Sequence, residues 1–222
     1  MNALALLLTL TLPIATGPQL SLPGNIEYGD QVPITDQQSC FALIVEAQGA
    51  RLQRTVVRLT PLEGGVGNPV NVGAPDLGND PLVFLCDMPL KNGAVAASVF
   101  GNGHLAANAS LTLSIPDDSA TLRMACPKVA KAGCSLLLQR GGKKQVLGNF
   151  DAAKGKNGRV TLEPDIGFAV MFAGDLDRDG KIDLLIDTSD SHQLSEPTLF
   201  LSSFATKEEL VHKVASQGIM DL

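Results

Sequence analysis

The chain predicts an all-β protein: a β-sandwich-like N-terminal module, then a second antiparallel β module carrying an Asp-rich calcium hairpin. Three observations predict it. Short runs rich in Val, Leu, Ile and Thr recur along the chain, bounded by Gly, Pro, Asn and Asp. Ala109-Ser-Leu-Thr-Leu-Ser-Ile115 alternates strictly, which puts Leu111, Leu113 and Ile115 on one face. Gly141-Gly142, between two such runs, is the dipeptide of a two-residue hairpin.

Taken in order, Ala3 to Leu12 is a short apolar run ending in Pro13, Ala15 and Gly17. It is too short to span a bilayer, which needs about 20 residues, and it fits a secretory leader over 1–17. No transmembrane span remains once that leader is removed. Residues 18–38 read as an extended lead-in. Cys40-Phe-Ala-Leu-Ile-Val-Glu46 is a buried strand, and Arg51 to Thr60 a strand with a charged side. Pro61 to Asp80 is a Gly- and Pro-rich loop with a short strand at Pro69 to Val72. Leu82 to Cys86 and Ala94 to Phe100, joined by a short connection, read as a hairpin. Pro116-Asp-Asp-Ser119 is polar and turn-forming, and marks a boundary between modules 18–116 and 117–222. Beyond it, strands are expected at 120–126, on both sides of Gly141-Gly142, at 159–162, 166–172, 182–186 and 197–202. The tail from Thr206 to Ala215 carries a capping-box pair, Thr206 and Glu209, which favours a helix. Its strand-rich surroundings favour a turn and an edge strand instead.

Four cysteines in an exported chain imply disulfides. The preferred pairs are Cys40 with Cys86 and Cys126 with Cys134, each within one half of the chain. The expected compartment is periplasmic or secreted.

The densest chemistry lies in Ala173-Gly-Asp-Leu-Asp-Arg-Asp-Gly-Lys-Ile-Asp-Leu184. Between Asp165 and Asp190 seven Asp face only Arg178 and Lys181, a local charge of −5 within a chain of net −6. Carboxylates this close repel one another unless a hard cation sits among them. Calcium takes six to eight oxygens at about 2.3 to 2.6 Å. The Asp-x-Asp-x-Asp-Gly spacing offers Asp175, Asp177 and Asp179, the carbonyl of Lys181, and Asp183 at the ninth position. Ile186 stands where an EF-hand carries its bidentate Glu, and the flanks read as strands, so this is not an EF-hand.

This segment resembles the calcium loop of FG-GAP/VCBS-type repeats, the blades of integrin-alpha-like propellers. The resemblance covers residues 168 to 203. It implies a nine-residue loop between two strands, with Asp175, Asp177, Asp179 and Asp183 as side-chain ligands and Lys181 as a backbone ligand. The chain departs from the family in having one copy of the loop, where a propeller repeats its blades. The wider pattern, ending in Leu199-Phe-Leu-Ser-Ser203, is similar to secreted bacterial proteins with a single such motif, which implies location and metal but no activity.

No other constellation competes. No Gly-x-Ser-x-Gly elbow occurs. His104, His192 and His212 are surface histidines by context. Ser189, Asp190 and His192 have the residue types of a triad without its geometry. Glu46 and Glu196 are distant in sequence for a glycosidase pair. Asp187 is either an extra ligand or a strand-end acid. Gly64 to Gly67 is a turn, and Asn108-Ala-Ser110 a chance glycosylation match. Lys128, Lys131, Arg140, Lys143 and Lys144 scatter over a hairpin, so nucleic acid is not an expected partner. The expectation is a non-enzymatic calcium-binding protein with a binding or envelope-associated role and no catalytic residues. A secreted hydrolase or an adhesion module supported by the ion is the alternative. Whether the partner is protein or carbohydrate is not encoded.

Overall fold

The computed structural model describes residues 17–220 apart from 47–48, 66, 80, 104, 129–132, 155–159, 163–167 and 190–192. The expected leader, His104, Asp190 and His192 lie outside the described residues.

Numbered along the chain, the strands of the first half are β1 (Gln19–Ser21), β2 (Gly24–Ile26), β3 (Ser39–Glu46), β4 (Gly49–Val56), β5 (Arg58–Pro61), β6 (Val70–Gly73), β7 (Val83–Cys86), β8 (Gly93–Gly103) and β9 (Ser110–Ile115). The second half holds β10 (Asp118–Ala125), β11 (Cys134–Arg140), β12 (Lys143–Phe150), β13 (Ala152–Lys154), β14 (Val160–Leu162), β15 (Ala169–Asp175), β16 (Asp183–Asp187), β17 (Leu194–Ser195), β18 (Pro197–Leu201), β19 (His212–Ser216) and β20 (Ile219–Met220). The protein is all-β, and every strand pairing is antiparallel.

Nine strands form one sheet in the order β1-β7-β3-β4-β8-β15-β16-β18-β19. It curls until β19 lies against β1, where the Leu22 amide donates to Gln217 Oε1 at 2.7 Å. The inner face of this nearly closed sheet is one apolar core, with Leu20, Leu43, Leu52, Leu85, Phe172, Leu185 and Leu199 among its side chains. Two smaller sheets cover its outside. The sheet β2-β6-β5 packs over β3 and β7 through Ile26, Val72, Ala42, Ile44 and Phe84. The sheet β12-β11-β10-β9 packs over β15, β16 and β18 through Leu113, Leu122, Met124, Leu136, Leu138, Val170, Leu184 and Phe200.

This layering explains the sequence patterns. β3, β7, β15 and β16 are apolar at nearly every position because both faces are covered. β9 alternates because its outer face meets water. At Gly174 the backbone of β15 approaches β8 so closely that a Cβ would stand 2.3 Å from the Ala96 carbonyl oxygen. Only glycine allows that approach at the register shift between these strands.

Three expectations are revised. β7 and β8 are not a hairpin: β7 lies between β1 and β3, and β8 lies between β4 and β15. A short connection suggested direct pairing, but the β3–β4 hairpin separates them and residues 87–92 cross its end. The segment 51–60 breaks at buried Val57 into β4 and β5, which join different sheets. Pro116 and Asp117, read as a module boundary, form the two-residue turn of the β9–β10 hairpin, in which Ile115 pairs with Asp118. The residues that punctuate a linker are those that make a tight turn, and the nine-stranded sheet takes strands from both sides of it. Gly141 and Gly142 turn β11 into β12 as expected, both at positive φ.

Both expected disulfides are present. Cys40 and Cys86 are direct cross-strand partners of β3 and β7 with Cα atoms 4.3 Å apart. Cys126 and Cys134, with Cα atoms 4.2 Å apart, join the end of β10 to the start of β11. Among the described residues no helix is long and apolar enough to cross a membrane. The disulfides are compatible with an oxidising compartment outside the cytoplasm.

Candidate metal centre

The Asp-rich loop joins β15 to β16 inside the large sheet, so both ends are fixed by ladder hydrogen bonds. Asp175 is the last residue of β15 and Asp183 the first of β16. Between them the chain reverses through Arg178 (φ 65°) and Gly180 (φ 82°). Glycine adopts the left-handed region freely. Arg178 is held there by its guanidinium, whose Nη2 donates to the carbonyls of Lys91, Asn92 and Ala94, the shortest at 2.7 Å.

The loop's own amides fold back on its carboxylates. Asp179 N donates to Asp175 Oδ1 at 3.1 Å and to Asp177 Oδ1 at 3.2 Å. Gly180 N donates to Asp175 Oδ2 at 3.1 Å. Asp183 is fully buried; its Oδ2 accepts Leu176 N at 2.8 Å and its Oδ1 accepts Ser202 N at 2.8 Å. The result is convergence: Asp175, Asp177 and Asp183 each place one carboxylate oxygen within 4.8 Å of the others. This cluster can hold a metal ion.

The electrostatics of the metal-free cluster are unfavourable. Burial, then the charge of Asp177, pushes the Asp183 carboxyl up to about 8, against the pull of the Ser202 and Leu176 amides. Burial also raises Asp175, and the charges of Asp177 and Asp179 add to it, while the Gly180 amide opposes the shift.

Asp179 does not join the three. Its Oδ1 accepts the Lys181 amide at 2.9 Å, its Oδ2 accepts Ser202 Oγ at 2.8 Å, and the Lys181 ammonium lies 3.7 Å away. Asp187 is at the far end of β16, about 13 Å along the strand. There it accepts the Ser189 and Glu196 amides and the Ser195 hydroxyl, as a strand-end acid. Glu46 pairs with Arg51, Glu196 with Lys213 and His212 with Glu209. Asn108 is exposed, and its Oδ1 accepts the Cys126 amide.

Four residues that carry the loop escaped the sequence. Ser202 and Ser203, just after β18, donate their hydroxyls to Asp179 and Asp177. Asp118, in the β9–β10 hairpin, accepts the Ile182 amide at 3.0 Å and is ion-paired with Arg140 at 2.9 Å, both side chains mostly buried. Arg178 anchors the loop to the start of β8. The Ser-Ser pair had shown only as part of the wider motif; nothing near Asp118 or Arg178 marks their roles, because their partners are distant in sequence.

No protein-family model, curated protein or solved structure matches the chain. Fold and site together define an all-β protein with two disulfides and an aspartate cluster able to hold a metal ion.

Proposed function

We propose that the chain is an exported calcium-binding β protein, non-enzymatic, in which the ion stabilises the 175–183 loop, and that its role is binding or envelope-associated. One observation carries this: three carboxylate oxygens within 4.8 Å of one another on a loop pinned at both ends. Oxygens that share one calcium at about 2.3 to 2.6 Å stand at most about 5 Å apart, so the cluster has the right span. Its donors are hard oxygens, which suit calcium better than a soft transition metal. A bound cation would neutralise carboxylates that burial first, and then their neighbours' charge, raise at Asp175 and Asp183. The likeness of the loop to FG-GAP/VCBS repeats supports Asp179 and the Lys181 carbonyl as further donors. Asp179 would enter by exchanging its Ser202 contact or through a water. The leader-like segment and the disulfides support export.

Thermal unfolding in calcium and in chelator tests the proposal. At a calcium concentration 100 times Kd, the native state gains about 2.7 kcal/mol, seen as a higher Tm. Asp175→Ala abolishes the gain. An identical Tm in calcium and chelator rejects calcium as the ligand.

A further inference from the structure

The β9–β12 sheet covers the nearly closed sheet with one face and turns the other to solvent. In register across the strands run Thr112, Thr121, Gln139 and Lys144, and beside them Ser110, Arg123, Leu137 and Val146. Hydroxyls, an amide and two cations thus stand in neighbouring rows, with the apolar Leu137 and Val146 between them. Asp117 and Asp118 sit in the hairpin turn at one end, and Asp118 is taken up by Arg140 and the Ile182 amide. Neither Arg123 nor Lys144 has an ion-pair partner among the described residues. This arrangement is notable on a chain of net charge −6.

The face is also grooved. A cleft of about 320 Å³ lies among Thr112, Ser119, Thr121, Gln139 and Lys144. A second, of about 410 Å³, lies among Asn108, Arg123, Ser135 and Leu137. They follow one another along β10 and β11. From Ser119 to Cys126 that course is about 24 Å long, and Lys128 stands in the depression beyond.

We infer that this outward face is a binding track for a linear acidic polysaccharide, with Arg123 and Lys144 meeting its carboxylate or sulfate groups. The chemistry selects the occupant. Unpaired cations on a largely acidic protein are complementary to a polyanion. The flanking hydroxyls and amides match a ligand dense in hydroxyls. The clefts are lined without any aromatic ring, so the stacking platform that single-stranded nucleic acid uses is missing.

The test uses the full chain, without added calcium, against an oligogalacturonate and a heparin-derived oligosaccharide, with dextran as the neutral control, followed by calorimetry across a salt series. Binding to the acidic oligosaccharides and not to dextran is expected, with log affinity falling linearly in log salt. The double variant Arg123→Gln/Lys144→Gln is expected to bind at least about tenfold more weakly, with the salt slope reduced by about two. Its Tm should be unchanged, because both side chains are exposed. Lys213→Gln, on β19 away from this face, should bind normally. The same binding is expected in chelator, so failure of the calcium proposal would leave this one standing. The inference is overturned by no binding at low salt, or by full binding in the double variant. Tighter binding of polyaspartate, or of phosphatidylglycerol vesicles, would equally overturn it and assign the face to acidic peptides or to a membrane surface.

Discussion

Asp183 shows how one side chain carries two opposed demands. It is fully buried and bridges the Asp-rich loop to the chain after β18 through the Leu176 and Ser202 amides. In the metal-free protein its carboxyl is pushed from 3.8 up to about 8. The folded state therefore holds a proton that the unfolded state has lost between about pH 4 and 8. The contribution of Asp183 to metal-free stability is fully present below the lower value and is lost as pH rises through the upper one. In chelator, Tm should fall from pH 5 to pH 8, and Asp183→Asn should flatten that slope; a Tm that climbs with pH would contradict the assignment. A calcium ion bound as proposed would have to displace the same proton, so its affinity should rise with pH up to about 8. Ser203 acts through another residue, orienting Asp177 by its hydroxyl. Removing such an outer partner costs about tenfold in metal affinity. Ser203→Ala should show that loss in a calcium titration, and an unchanged affinity would deny Ser203 its orienting role.

At the scale of elements, cross-links and turns are set by what the strands pair with. The Cys40–Cys86 bond spans 46 residues and Cys126–Cys134 spans 8. Loop-closure entropy then makes the first worth about 4 kcal/mol and the second about 2.5. Denaturant unfolding of the two double Cys→Ala variants should rank them in that order, and equal losses would show that native-state effects dominate. The tail teaches a related lesson. Glu209 does reach back to the Thr206 amide, at 3.1 Å, as a capping box would. The chain nevertheless continues as strand β19, because β18 offers it a ladder and β1 a neighbour. A local capping contact of about 1 kcal/mol does not outweigh a row of backbone hydrogen bonds and a buried face.

For the whole molecule, the nearly closed sheet decides cooperativity. β1, β3, β4, β7 and β8 come from before Pro116, and β15, β16, β18 and β19 from after it. Their side chains meet in one interior core. Residues 18–116 expressed alone would expose one side of β8 and half of that core, and should give no cooperative unfolding transition by circular dichroism. A folded fragment would show that the modules are separable after all.

By itself the sequence determined the all-β class, most strand positions, the presence of disulfides, whose pairing it only favoured, and the Asp175–Asp183 loop. These are legible because they rest on local signals: alternation, turn residues, cysteine parity and carboxylate spacing. Tertiary structure alone decided that β7 and β8 are parted, that 116–119 is a hairpin turn, and that Asp179 faces Ser202 while three other carboxylates converge. It also brought Ser203, Asp118 and Arg178 to the loop. Each of these depends on partners tens of residues away, and pairing across such distances is chosen by the burial of whole sheet faces, which no local window contains.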